Sequence, residues 1–156
     1  MTAHLWVKDF EKLVESIKMS NKRMQVLAEL VKSKRISQVT FEYLRKGYES
    51  EARSLEERRR SLLERLKTYF DEIDQQIKSL EERIVSIETR YVIGEIDEES
   101  YKKQIEALQI ALQGMIEELE SVKGSIAILE VSRVETQIVI EEQVIPGERR
   151  EELEKI

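Results

Sequence analysis

No cysteine occurs anywhere in the chain, which excludes disulfides, cysteine-held zinc and thiol chemistry. The absence suits a reducing interior or a hot habitat and identifies neither. Proline occurs once and glycine five times in 156 residues, too few turn formers for a fold of many short elements. Unbroken apolar runs are only a few residues long, whereas a membrane-spanning helix needs about 20. Met1 to Trp6 shows no basic region followed by an apolar stretch, so no signal peptide is expected and a cytoplasmic location is. The single histidine, His4, has no second His or Cys beside it and is not expected to hold a metal.

Signatures of catalysis are also missing. There is no glycine-rich phosphate loop, no Gly-x-Ser-x-Gly and no His-Glu-x-x-His. Acidic pairs such as Glu56-Glu57, Glu81-Glu82 and Glu98-Glu99 read as solvated helix faces, because paired-carboxylate chemistry needs a cleft. The sequence therefore predicts no enzyme, no cofactor and no small-molecule substrate.

What is present is charge and spaced apolar residues. Charged residues make up 37% of the chain and hydrophobic ones 40%, the composition of long helices. The net charge of −6 is uneven: residues 1–34 carry +3, residues 35–93 carry 0 and residues 94–156 carry −9. An acidic whole argues against broad nucleic-acid binding. The basic start leaves room for a weak contact with an anionic membrane surface or DNA, against the plainer reading of a solvated helix face.

Apolar residues recur in alternating steps of three and four, the mark of a heptad seam. A first helix, from about His4 to Ser33, has the seam Trp6, Phe10, Leu13, Ile17, Ser20, Met24, Leu27 and Val31. A second, from about Gln38 to Val92, includes Phe41, Leu44, Tyr48, Ala52, Leu55, Arg59, Leu62, Leu66, Tyr69, Ile73, Ile77, Leu80, Ile84, Ile87 and Tyr91. Steps of four and four near 69–77 form a stutter, which relaxes a left-handed supercoil. A third helix has the seam Tyr101, Ile105, Leu108, Leu112, Met115, Leu119, Val122, Ile126 and Leu129. Gly114 and Gly124 lie off it; they mark either the close approach of another backbone or a soft helix. In the basic run Arg58-Arg59-Arg60, the flanking Glu56, Glu57 and Glu64 point to ion pairs.

Two breaks separate the helices, and they match at an offset of 60 residues: Ile36-Ser37-Gln38-Val39-Thr40-Phe41 and Ile96-Asp97-Glu98-Glu99-Ser100-Tyr101. Ser37 and Asp97 are expected N-caps, Ile36 and Ile96 hydrophobic staples, and Gly94 a helix C-terminus. Breaks this short make neighbouring helices antiparallel. The expected fold class is all-α: an elongated antiparallel coiled coil in which two hairpins share a long central helix. Trp6, Tyr69 and Phe70 would cluster where the pairing partner changes. Narrow two-helix seams also predict a homodimer or higher homo-oligomer.

The heptad stops after Leu129. The run Thr136 to Ile145 is rich in β-branched residues, with Thr136, Ile138 and Ile140 alternating with Gln137, Val139 and Glu141. Pro146-Gly147 ends it. The expected organisation is a helical domain over 1–130 and a β-prone or flexible tail over 131–156. In the tail, Ile138, Ile140, Val144, Ile145 and Pro146 are candidates to add a strand to a partner's sheet. Pairing between two copies, or disorder until bound, are the alternatives.

The segment Arg90-Tyr91-Val92-Ile93-Gly94-Glu95-Ile96-Asp97-Glu98-Glu99-Ser100-Tyr101, embedded in heptads, resembles the coiled-coil region of CdvA-like archaeal proteins. The resemblance covers roughly residues 35–130 and a tail of similar character. It implies a component of the archaeal cell-division machinery whose coiled coil drives assembly. It also implies a short C-terminal segment that recruits an ESCRT-III homologue, CdvB, by adding a strand to its winged-helix domain. The family is linked to membrane and DNA association, and a place at the division site follows. Its members begin with a small β-barrel domain, whereas helical spacing begins here within the first few residues. The leading expectation is a non-enzymatic scaffold that self-associates and recruits a protein partner. The alternative is a membrane-remodelling polymer subunit of ESCRT-III type, a class with a strongly basic first helix.

Overall fold

A computed structural model describes residues 5–140, and the chain is all-α across them. Its helices are α1, Leu5–Lys32; α2, Gln38–Val92; and α3, Glu98–Val131. The heptad spacing predicts all three within a residue or so. At about 1.5 Å per residue, the 55 residues of α2 extend roughly 80 Å. After Val131 the chain continues without helix or strand to Ile140.

The two turns close on the same hydrogen bonds. In the first, the Arg35 amide donates to the Leu30 carbonyl (2.9 Å) and the Lys34 amide to Val31 (3.1 Å). In the second, the Glu95 amide donates to Arg90 (2.8 Å) and the Gly94 amide to Tyr91 (3.1 Å). Both follow the Schellman pattern, which satisfies carbonyls that a helix end would otherwise orphan. The pattern needs one left-handed residue, and Gly94 (φ 84°) and Lys34 (φ 60°) supply it. The next helices then start alike. Ser37 Oγ accepts from the Thr40 amide (3.2 Å), and Asp97 Oδ1 accepts from the Ser100 amide (2.7 Å).

The chain divides into two compact units. The first combines Met1–Val14 with Arg58–Arg133. Within it, the start of α1 joins α2 and α3. Trp6 Nε1 and the Tyr69 hydroxyl both donate to Glu118 Oε1, each over 3.3 Å, so one carboxylate links three helices. Leu13, Leu62, Leu66, Ile73, Val122 and Leu129 are buried here. Leu80, Ile84, Leu108, Leu112 and Met115, nearer the Gly94 turn, are only half-buried, although Ile87 and Ile105 are buried. Two helices alone shield a narrow stripe, and a third layer is what seals it.

The second unit combines Glu15–Glu57 with Val134–Ile156. Its core is Met24, Leu27, Phe41, Ala52 and Ile138, with Ala28, Val31, Ile36, Leu44, Tyr48, Val134 and Ile140 packed around it. The α1–α2 hairpin therefore gains its third layer from a non-helical segment.

Candidate functional site

The features with a bearing on function are the heptad seams, the two turns and the segment after α3. Of the seam residues singled out from the sequence, Leu13, Ile17, Leu27, Leu55, Leu62, Leu66, Ile87 and Ile105 are buried. Ile84, Leu108, Leu112, Leu119 and Ile126 are half-buried. Ser20, the one polar member of the first seam, is buried, and among the described residues no buried side-chain polar atom lacks a hydrogen-bond partner.

At the turns, Ile36 and Ile96 are both half-buried. The aromatics that follow differ. Phe41 is sealed in the core of the second unit, with the Arg45 guanidinium 5.8 Å from its ring centre. Tyr101 is half-buried and stacks on Tyr91 at 4.1 Å, while its hydroxyl donates to Glu88 Oε1 over 2.6 Å. That hydrogen bond, with burial and the Glu88 charge, raises the Tyr101 hydroxyl above the ordinary phenol value. Burial first, then the Glu118 carboxylate, raises Tyr69 likewise.

The α3 end has no basic residue of its own in its last turn. Arg59 of α2 supplies one: its Nε donates to the Leu129 carbonyl (2.8 Å) and its Nη2 to the Glu130 carbonyl (3.2 Å). A cation at a helix C-terminus satisfies orphan carbonyls and suits the dipole. Ser132 closes the same end through its amide and hydroxyl, both on the Ile128 carbonyl.

Beyond Ser132 the side chains alternate in burial. Val134, Thr136, Ile138 and Ile140 turn inward, and Glu135, Gln137 and Val139 outward; Ile138 is 5% exposed and Val139 76%. The backbone of this segment is held by side chains rather than by a sheet. The Glu135 amide donates to Asn21 Oδ1 (2.9 Å) and the Ile138 amide to Glu49 Oε2 (3.0 Å). Arg45 Nε holds the same Glu49 oxygen at 3.0 Å. Burial works to raise the Glu49 carboxyl, but the Ile138 amide together with Arg45 and Arg53 outweighs it and holds the group below its ordinary value. The inward period of two is legible in the sequence. Asn21, Arg45, Glu49 and the capping role of Arg59 are not, because each looks like any polar residue on a helix surface.

Of the tail residues singled out from the sequence, Ile138 and Ile140 pack in the core of the second unit. Val144, Ile145 and Pro146 lie outside the described residues, as does His4. Among the described residues no group of His, Cys, Asp and Glu is placed to hold a metal, and no helix is long and apolar enough to cross a membrane.

Comparison with curated proteins gave no match, and neither did comparison with solved structures. The family model described as "CdvA-like coiled-coil domain" matches residues 5–152, nearly the whole chain. The heptad seams, the repeated Schellman turn and this match agree, and the chain belongs to the CdvA-like coiled-coil domain family.

Proposed function

We propose that the protein is a non-enzymatic scaffold of cell division that self-associates through its helical hairpins and recruits a protein partner through its C-terminal tail. Family membership supports the cell-division setting. Residues 1–130 act as the assembling part and residues 131–156 as the recruiting part. The observation that carries the assembling role is the half-buried seam of the α2–α3 hairpin. Leu80, Ile84, Leu108, Leu112 and Met115 occupy seam positions and stay only half-buried. A second hairpin laid on this seam would seal it, as four-helix cross-sections do.

The recruiting role rests on the β-branched pattern over 136–145, which suits strand addition to a sheet edge. An ESCRT-III-type protein is the partner that the family suggests, and the division site is the matching location. The test is affinity capture from native extract with the full chain and with a chain ending at Ile140. Truncation there spares Ile138 and its packing, so helicity and melting stay intact while the partner is lost. Capture of the same proteins by both chains would refute recruitment by the tail.

A further inference from the structure

The groove that receives residues 134–140 is built for an unpaired peptide strand. Such a strand needs acceptors for its amides and pockets for alternate side chains. The α1–α2 hairpin offers both. Asn21 Oδ1 takes the Glu135 amide, Glu49 Oε2 takes the Ile138 amide, and Ile138 enters a core lined by Met24, Leu27, Phe41 and Ala52. Arg45 holds the Glu49 acceptor at 3.0 Å, and Gln25 Nε2 of α1 reaches the Glu135 carboxylate of the docked segment at 3.4 Å. The groove thus pairs backbone amides of the segment as well as burying its apolar side chains.

Ile138 and Ile140 thereby have two claims on them. One is the hairpin of their own chain. The other is the sheet edge of a partner, which would need the same side chains and the same Ile138 amide. We propose that docking of residues 134–140 on the α1–α2 hairpin is an autoinhibitory latch, which must open before the tail can add as a strand to a partner's sheet. This rests on the tail being the recruiting segment. The Asn21 and Glu49 acceptors set how tightly the latch closes. A tail that is free only a tenth of the time binds about tenfold more weakly than its intrinsic affinity, and opening the latch restores that factor.

The test uses the full chain and a double variant, Asn21→Ala with Glu49→Ala, which removes both acceptors and leaves every tail residue in place. Hydrogen exchange at the Glu135 and Ile138 amides reads the latch. Titration against an isolated ESCRT-III-type winged-helix domain reads recruitment. Circular dichroism confirms equal helicity, and the single variants Asn21→Ala and Glu49→Ala, each read at the amide it frees, serve should the double variant lose helix. The expected result is exchange at both amides that is faster by about tenfold and binding that is tighter by a similar factor. Equal affinity of the two chains despite faster exchange overturns the latch and leaves recruitment standing. Unchanged exchange in the variants also overturns it. No binding by either chain overturns recruitment and the latch together.

Discussion

Lys34 and Gly94 occupy the same place in two copies of one turn, yet only one of them suits it. A left-handed backbone is easy for glycine and strained for a side chain by about 1–2 kcal/mol, and Lys34 carries it at φ 60°. Lys34→Gly is expected to stabilise the protein by about 0.5–1 kcal/mol in urea melts, after the extra freedom of glycine in the unfolded chain is set against the relief. Gly94→Ala should do the reverse, destabilising by about 1 kcal/mol or more. Glu49 gives a pH dependence of definite sign. Its carboxyl is held below the ordinary value of 4.5, so its contribution is complete above that value and is lost as pH falls through the lower folded value. Wild type should therefore melt above Glu49→Gln near neutral pH, and the gap should close as acidification passes below the ordinary carboxylate value and through the lower folded one. A gap that widened on acidification would show that the carboxylate is not what holds the Ile138 amide. The glutamate itself could not be picked out from the sequence. Its partner amide lies 89 residues away, and Asn21 and the Glu135 amide are 114 apart. Nothing local distinguishes such residues from solvent-facing ones.

At the scale of the element, the heptad seams were legible because a step of three or four depends only on neighbours in the chain. Ser37 and Asp97 were legible for the same reason: a cap acts within one turn. Depth of burial was not, since it depends on what covers the seam. Phe41→Ala, in the three-layered core of the second unit, should cost about 3–5 kcal/mol. Leu108→Ala, on the half-buried α2–α3 seam, should cost no more than about half of that by the same area argument, measured as a shift in denaturation midpoint. Gly114 and Gly124 have open space within 4 Å of where a Cβ would sit, so within this chain they mark no close backbone approach. Replacing each with Ala should raise stability by about 1 kcal/mol through helix propensity. A loss of stability at Gly114 that depends on protein concentration would place a second copy against that face of α3.

For the molecule as a whole, the proposed assembly by helices and the proposed recruitment by a tail make separate demands on the sequence. Assembly of the proposed kind would draw on residues spread along every helix, and the family match runs over nearly the full length, residues 5–152. The proposed recruitment would draw on one short β-branched stretch, whose first inward residues, Val134, Ile138 and Ile140, also complete the core of the second unit. Loss of the whole tail would therefore confound the two roles, because it uncovers Met24 and Phe41 as well as removing the recruiting strand. Sufficiency avoids that difficulty. The most direct measurement is to fuse residues 131–156 to an unrelated soluble carrier and identify what it captures from native extract. The account predicts that the fusion captures the same partner as the full chain, and more of it at equal concentration because the latch is absent. A fusion that captures nothing the carrier alone does not, while the chain ending at Ile140 still holds the partner, would contradict it.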